Sequence, residues 1–391
     1  MHYTFSPKSG FQKEKMTDIY NRLAQFLDDL PAGFPRTDNG IELKILRKLF
    51  TPAEAEMFLH LTLLAEESRV VAYRAGKSLE QTTRTLEGME HKGLISGSHA
   101  EGKLPHYAAS QFVVGFWEDQ VNRLDREMAE LFEQYVPHYY EQGYWTALPQ
   151  LRTIPVGESI PIHSEVMPYE KAEAILRSKS RIAVRNCVCR QQRALLDKSC
   201  GKPLETCLSF DGAAYNTAVS GKGRLISLDE ALAILALSER AGLVLQPANS
   251  KNPAFLCACC SCCCGVLRHI KHDEKPAGLV SNAFSAQHDP ALCLDCGLCV
   301  ERCQMDAITE SISGITIDHD RCIGCGLCIS ECPSGALTLV RKPDADRVRI
   351  PGNTLDTYVR LGQARNKLGV RKIMSIALRS GLDRLMAPRD D

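Results

Sequence analysis

Apolar positions recur along this chain in several rhythms, and each predicts a different kind of element. Residues 16–30 carry apolar side chains at three- and four-residue steps, the repeat of an amphipathic helix, and the breaker run Pro31–Gly40 follows. Thr51, Pro52 and Glu54 form a capping-box start for a helix reaching Leu64. Ser78 and Gln81 open another helix, which Gly93 closes. "LISGS" and "PHYAA" then read as short strands around the polar "HAEGK". Val114, Trp117, Val121, Leu124, Met128, Leu131 and Tyr135 alternate spacings of three and four, which predicts one long helix with a seam. That seam would pack on the chain's own domain or on a second copy, giving a homodimer through 111–135. Beyond residue 150 helices and strands mix. A helix around Tyr169–Ser178 leads into "RIAV", and one opened by Ser227 and Glu230 ends at Gly242 before "LVLQ".

Six stretches follow from this pass: a helix and linker (1–40), a small domain (41–110), a long helix or connector (111–149), a cysteine-rich middle domain (150–282), a repeated domain (283–340) and a basic amphipathic tail (341–391). The order of helices, strands and turn in 41–110 resembles a winged-helix module. A winged helix that reads DNA needs Lys and Arg to neutralise phosphates. Residues 78–104 instead set Glu80, Glu87, Glu90 and Glu101 against Arg84, Lys92 and Lys103, so nucleic acid is not the expected partner.

Composition alters the picture at one residue type. The 391 residues have 44% hydrophobic and 24% charged content, ordinary for a folded chain, and equal counts of 47 basic and 47 acidic residues exclude an overall polyanion-binding bias. The 18 cysteines all lie between Cys187 and Cys332. Met1–Met16 has no apolar signal core and no apolar run spans a bilayer, so a cytoplasmic chain is expected, with thiols used as metal ligands or redox groups. "AGKS" (75–78) lacks the earlier glycine of a phosphate loop, and no G-x-G-x-x-G occurs for a dinucleotide.

The last cysteines repeat with a period of 29: residues 289–309 over 318–338 share 9 identities in 21, all four cysteines included. Cys293, Cys296, Cys299 and Cys303, then Cys322, Cys325, Cys328 and Cys332 followed by Pro333, match the run of bacterial two-cluster ferredoxins. Three thiolates at steps of three wrap the corners of a cube, and the fourth begins a helix and points to the other cube. The resemblance implies one [4Fe–4S] cluster on Cys293, Cys296, Cys299 and Cys332, and another on Cys322, Cys325, Cys328 and Cys303. Gln304 stands where the first run should have proline.

Two further groups precede the repeat. Cys187, Cys189, Cys200 and Cys207 are expected to hold a third cluster, with zinc and redox thiols as alternatives. "CACCSCCCG" (257–265) places six cysteines in eight positions. Cys257, Cys260 and Cys263 have the cube-wrapping spacing and, with Cys259 or Cys264, are expected to hold a fourth cluster, leaving Cys262 spare; a reactive thiol centre is the alternative. His269 and His272 read as solvated rather than ligating.

Residues 150–340 as a whole, with the N-terminal module, resemble anaerobe-type multi-cluster ferredoxin proteins. The resemblance implies an α+β chain: a winged-helix-like domain, a mixed α/β cysteine-rich domain and a two-cluster ferredoxin-like βαβ repeat. The expected function is single-electron transfer between redox partner proteins, as a carrier or accessory subunit. An oxidoreductase subunit with a reactive site at 257–264 and a redox-responsive regulator are the alternatives. Segment 286–340 carries two bases and eight acids, and 341–391 carries twelve bases and six acids. The tail, with Val370, Ile373, Met374, Ala377, Leu378 and Leu385 on one face, is therefore expected to dock on the acidic ferredoxin domain, a membrane surface or partner being the alternative.

Overall fold

The computed structural model describes residues 18–141, 148–159, 166–312, 314–343 and 349–389. Residues 1–17, and with them the whole of Met1–Met16, lie outside the described residues. The chain divides into two compact units: one of residues 1–119, 130–142 and 365–391, the other of 120–129 and 143–364.

The first unit begins with α1 (Ile19–Asp28), α2 (Ile41–Leu49) and α3 (Pro52–Phe58). Thr51 and Glu54 form both halves of the predicted capping box, but the helix stops at Phe58, short of Leu64. β1 (Glu66–Glu67), α4 (Ser68–Ala75), α5 (Leu79–His91), β2 (Ile95–Ser98) and β3 (His106–Ala109) follow, the strands forming an antiparallel sheet of order β1-β3-β2. The Ser78 hydroxyl accepts from the Gln81 amide at 3.3 Å to start α5, and Gly93, at φ +72°, ends its C-terminal turn.

The long seam helix does not form. Val113 and Val114 are extended inside a turn at Phe112–Phe116, and regular helix starts only at α6 (Arg126–Glu141). Here spacing misleads because packing, not repetition, places the apolar side chains. Phe112 stacks on Phe132, Trp117 lies over the same ring, and Phe34, Phe50, Phe58, Phe116, Tyr135 and Tyr139 are all fully buried around them. The hydroxyls of Tyr135 and Tyr139 donate to the carbonyls of Pro35 and Ala32, each at 2.9 Å. Of the seven seam residues Trp117, Val121, Met128 and Tyr135 are buried, while Val114, Leu124 and Leu131 are half-buried.

The second unit is built on a five-stranded antiparallel sheet. In chain order come α7 (Ala172–Arg177), β4 (Ile182–Asn186), α8 (Val188–Leu195), β5 (Glu205–Phe210), α9 (Asp211–Val219), β6 (Arg224–Ile226), α10 (Leu228–Arg240), β7 (Val244–Pro247), β8 (Phe255–Cys259) and α11 (Gly265–Lys271). The strand order is β6-β4-β5-β8-β7, with α9 and α10 packed on it. Ser227 caps α10 by accepting from the Glu230 amide at 3.1 Å, as the sequence predicts.

The repeat region then gives β9 (Phe284–His288), α12 (Leu298–Arg302), β10 (Ile308–Ser311), β11 (Gly314–Ile317), α13 (Leu327–Ser330) and β12 (Leu337–Arg341). Each half runs strand, helix, strand, but the pairing departs from a parallel βαβ unit. β9 pairs with β12 and β10 with β11, both antiparallel, so every strand pair joins the two halves. Ala286, Ile308, Ile315 and Leu337 pack with Cys299 and Cys328 between them. α14 (Thr354–Ala364) closes the unit, its Thr357 hydroxyl donating to the Asn249 carbonyl at 2.8 Å.

The tail corrects another expectation. Arg365 donates to Asp28 and to the Leu30 and Pro31 carbonyls, and α15 (Val370–Met386) packs on α4, so residues 365–391 of the tail belong to the first unit, while 341–364 stay with the second. Arg74 joins Glu66 and Asp383 at 2.8 and 2.7 Å, and the Ser380 hydroxyl donates to Glu66 at 2.6 Å. Specific buried ion pairs therefore decide the docking, where net segment charge had suggested another surface. The side of α15 carrying Ser380 and Asp383 turns inward, while Val370, Met374, Leu378, Leu382 and Leu385 are 58–77% exposed. Among the described residues no helix is long and apolar enough to cross a membrane.

Candidate metal centres

Within the repeat, each cysteine run lies in a loop that enters a short helix. Gly297 and Gly326 take φ of +73° and +77° immediately before α12 and α13, a turn that aims Cys299 and Cys328 inward. Gly324, at φ +65°, has no room for a side chain, because a Cβ there would sit 2.2 Å from the Phe284 carbonyl oxygen. The thiols divide between two cavities. Cys293, Cys296, Cys299 and Cys332 line one, with Ile315 and Leu337. Cys303, Cys322, Cys325 and Cys328 line the other, with Ile308 and Leu327. The last cysteine of each run thus faces the cavity of the other, because the antiparallel strands bring the end of one loop beside the start of the next.

The donor set of each cavity fits an all-thiolate cluster. Backbone amides already aim at sulfur: Ala286 donates to Cys322 Sγ at 3.5 Å and Ala307 to Cys303 Sγ at 3.2 Å, the contacts that tune iron–sulfur potentials. Burial pushes the Cys325 thiol up to about 12 and raises Cys299, Cys303 and Cys328 above the usual thiol range. Those four thiols are neutral when free, and metal binding must displace their protons. A family model described as a 4Fe-4S binding domain matches residues 286–309 and 315–338. No curated protein and no solved structure matches the chain. The repeat is therefore a ferredoxin domain of the 4Fe-4S kind, and the match leaves out the ten cysteines at 187–264.

Those ten fall into two sets that differ from the sequence groupings. Cys200, Cys260, Cys262 and Cys263 place their sulfurs within 4.8 Å of one another. Cys200 thus joins the octapeptide rather than Cys187 and Cys189, and Cys262 is a member rather than spare. The reason is a change of backbone within "CACCSCCCG". Its first part is the end of β8, where Cys257 and Cys259 share one face at a period of two. Its second part is a tight turn, with the amides of Cys263 and Cys264 both donating to the Cys260 carbonyl at 3.3 and 3.0 Å. A spacing of three therefore does not persist across the segment, and Cys257 separates from Cys260 and Cys263.

The other six thiols form a chain. Cys207 and Cys257 are register partners on β5 and β8, with sulfurs 3.7 Å apart. Electrostatic interaction continues the series, linking Cys257 with Cys259, Cys259 with Cys264, Cys264 with Cys189 and Cys189 with Cys187. Cys187 and Cys264 are the N-caps of α8 and α11, helix ends that favour negative charge. Among the described residues no other three thiols are gathered as the tetrad is.

Arg190 lies between the sets, and the sequence reading missed it. It is 3% exposed, donates to the Thr206 hydroxyl and the Ala258 carbonyl, each at 2.7 Å, and has an unpartnered buried Nε. Its charge is felt by Cys187 and Cys259 of the chain and by Cys260 and Cys200 of the tetrad. One thiol of each set is held below the usual range: Cys260 by a hydrogen bond from Cys263 and by Arg190, and Cys207 by a hydrogen bond from Cys257 and by Arg185 and Arg190. Gln304 accounts for the missing proline. Its side-chain carbonyl accepts from the amide and hydroxyl of Ser261 at 2.9 and 3.1 Å, tying the loop after Cys303 to the middle of the octapeptide. The departure from the ferredoxin pattern was the available signal. His269 and His272 do not join either set.

Proposed function

We propose that this chain is an iron–sulfur electron-transfer protein in which the ferredoxin domain exchanges single electrons with redox partner proteins and passes them to metal centres in the middle domain. The observation that carries the reading is the sorting of eight thiols round two cavities, with Cys303 and Cys332 exchanged between runs. All-cysteine cubes leave no iron open to substrate, so their chemistry is electron transfer. Cys293, Cys296, Cys299 and Cys332 would hold one [4Fe–4S] cluster, and Cys322, Cys325, Cys328 and Cys303 the other. The Gln304–Ser261 clamp supports a relay, since it fixes the second cavity beside the tetrad.

In the middle domain the tetrad supplies a further metal site, and the six-thiol chain supplies more ligands than one tetrahedral ion uses. We read 41–110 as a winged helix that serves protein docking. The basic residues of its α5 region are engaged by acids, Arg84 with Glu80 and Lys92 with Glu54, which argues against phosphate binding. The deciding experiment is iron and acid-labile sulfide content of anaerobically purified chain. About eight of each, reducible by a low-potential donor, follow from the ferredoxin domain alone. Zinc without sulfide would overturn the reading.

A further inference from the structure

A second cavity, separate from all the cysteines, lies in the same unit at the start of β9. It has a volume of about 340 Å³ and is lined by Arg152, Thr153, Tyr169, Lys251, Asn282 and Phe284 among others. That volume is within the range of small-molecule sites. We propose that it binds a small anion bearing a carboxylate or phosphate group, next to the cluster cavity of Cys322, Cys325, Cys328 and Cys303.

Three residues that line this cavity carry buried polar atoms without a partner. Arg152 is 2% exposed, yet it forms no ion pair: its guanidinium donates to the Tyr169 carbonyl, and its Nε is buried without a partner. Glu170, the carboxylate whose charge reaches it, is shared with Arg341, so an anion in the cavity would reduce the cost of burying this cation. The Thr153 hydroxyl and both amide atoms of Asn282 are likewise buried and unpartnered. Buried polar groups in native proteins are nearly always satisfied, and these four atoms belong to three residues that line one cavity.

Charge selects the ligand class. Arg152, Lys251 and Arg349 line the cavity, and its one carboxylate, Glu170, is engaged by Arg341. Arg152 and Lys251 each stand 5.7 Å from the Tyr169 ring centre, so two cations flank one aromatic face. The hydroxyl and amide donors with a guanidinium are the set that recognises an oxyanion.

The position ties the cavity to the cluster. Phe284 lines it, and the carbonyl of the same residue packs against Gly324 in the cysteine loop. Two residues further along β9, the Ala286 amide donates to Cys322 Sγ. A bound anion would therefore add negative charge near one ferredoxin centre.

Isothermal titration of the full-length chain with inorganic phosphate, and separately with succinate, tests the assignment and distinguishes the two anion classes. Saturable heat with either is the expected result. Lys251→Ala and Asn282→Ala, which leave the buried guanidinium in place, should each weaken binding at least about tenfold, in line with loss of a hydrogen bond to a charged group. Melting curves with phosphate provide the second measurement, compared between wild type and variants because phosphate stabilises any fold by exclusion. Absence of heat with both anions, or equal affinity in wild type and both variants, would overturn the proposal. Iron content does not enter the readout, so this result and the electron-transfer reading stand or fall separately.

Discussion

The ferredoxin domain and the middle domain are both crowded with cysteine, yet they use it in opposite ways. In the ferredoxin domain eight thiols stand apart around two cavities, held by loops in which glycines at positive φ fix the direction of each side chain. In the middle domain four thiols from a loop and a turn gather within 4.8 Å of one another and six others lie on strands and at helix N-termini, with one buried guanidinium whose charge reaches both sets. Zinc–sulfur bonds of 2.3 Å at a tetrahedral ion put sulfurs about 3.8 Å apart, whereas a cube spaces its ligands more widely. The lesson is that loop spacing encodes a cluster locally, while thiols on a sheet are gathered only when strands pair.

The largest effect expected from breaking this comparison is at Cys325. Cys325→Ala should remove about four irons of the roughly eight in the ferredoxin domain and leave the other centre and the middle sites intact, measured by iron analysis and low-temperature spectra. Cys262→Ala sharpens the contrast from the other side. By sequence register it should remove no metal; by the tetrad geometry it should abolish one metal centre, and elemental analysis of that variant decides.

Arg190→Met comes next. It removes two hydrogen bonds and the shared positive charge, and should destabilise the chain by about 2–3 kcal/mol in denaturant titration. An unchanged midpoint would show that Arg190 does not hold the two thiol sets together. Gln304→Ala leaves the Ser261 amide unsatisfied and should lose about 1–2 kcal/mol, with hydrogen exchange rising at residues 260–264 and not at 322–328.

The smallest effect lies in the cysteine-free unit and serves as a control. Burial alone would raise the Glu66 carboxyl, but hydrogen bonds from Arg74 and Ser380 hold it below the usual 4.5. A depressed carboxyl stabilises above the unfolded value and loses that contribution as pH falls through the folded one. Acidification below about 4.5 should therefore release α15, seen as proteolysis within 370–386, and Glu66→Gln should shift that release toward neutral pH.

How much was legible varies residue by residue. The capping pairs Thr51–Glu54, Ser78–Gln81 and Ser227–Glu230 were readable because a cap is a contact three residues long. The ferredoxin runs were readable because glycine and cysteine spacing fixes a loop by itself. The seam at 111–135 was misread because periodicity reports which side chains are apolar and not whether Val113 and Val114 stay helical. The tail was misplaced because summed charge cannot show that Asp383 shares Arg74 with Glu66.

By itself the sequence determined that this chain carries two four-cysteine runs, their local loops, the helix starts and the abundance of thiol between 187 and 264. Only tertiary structure decided which thiols meet. Cys200 reaches Cys262, Cys207 reaches Cys257, and Arg190 comes between the sets through strand pairing and helix packing over separations of tens of residues. Local spacing carries no information on such contacts, since they are fixed by the antiparallel register of β5 and β8 and by the turn that follows β8.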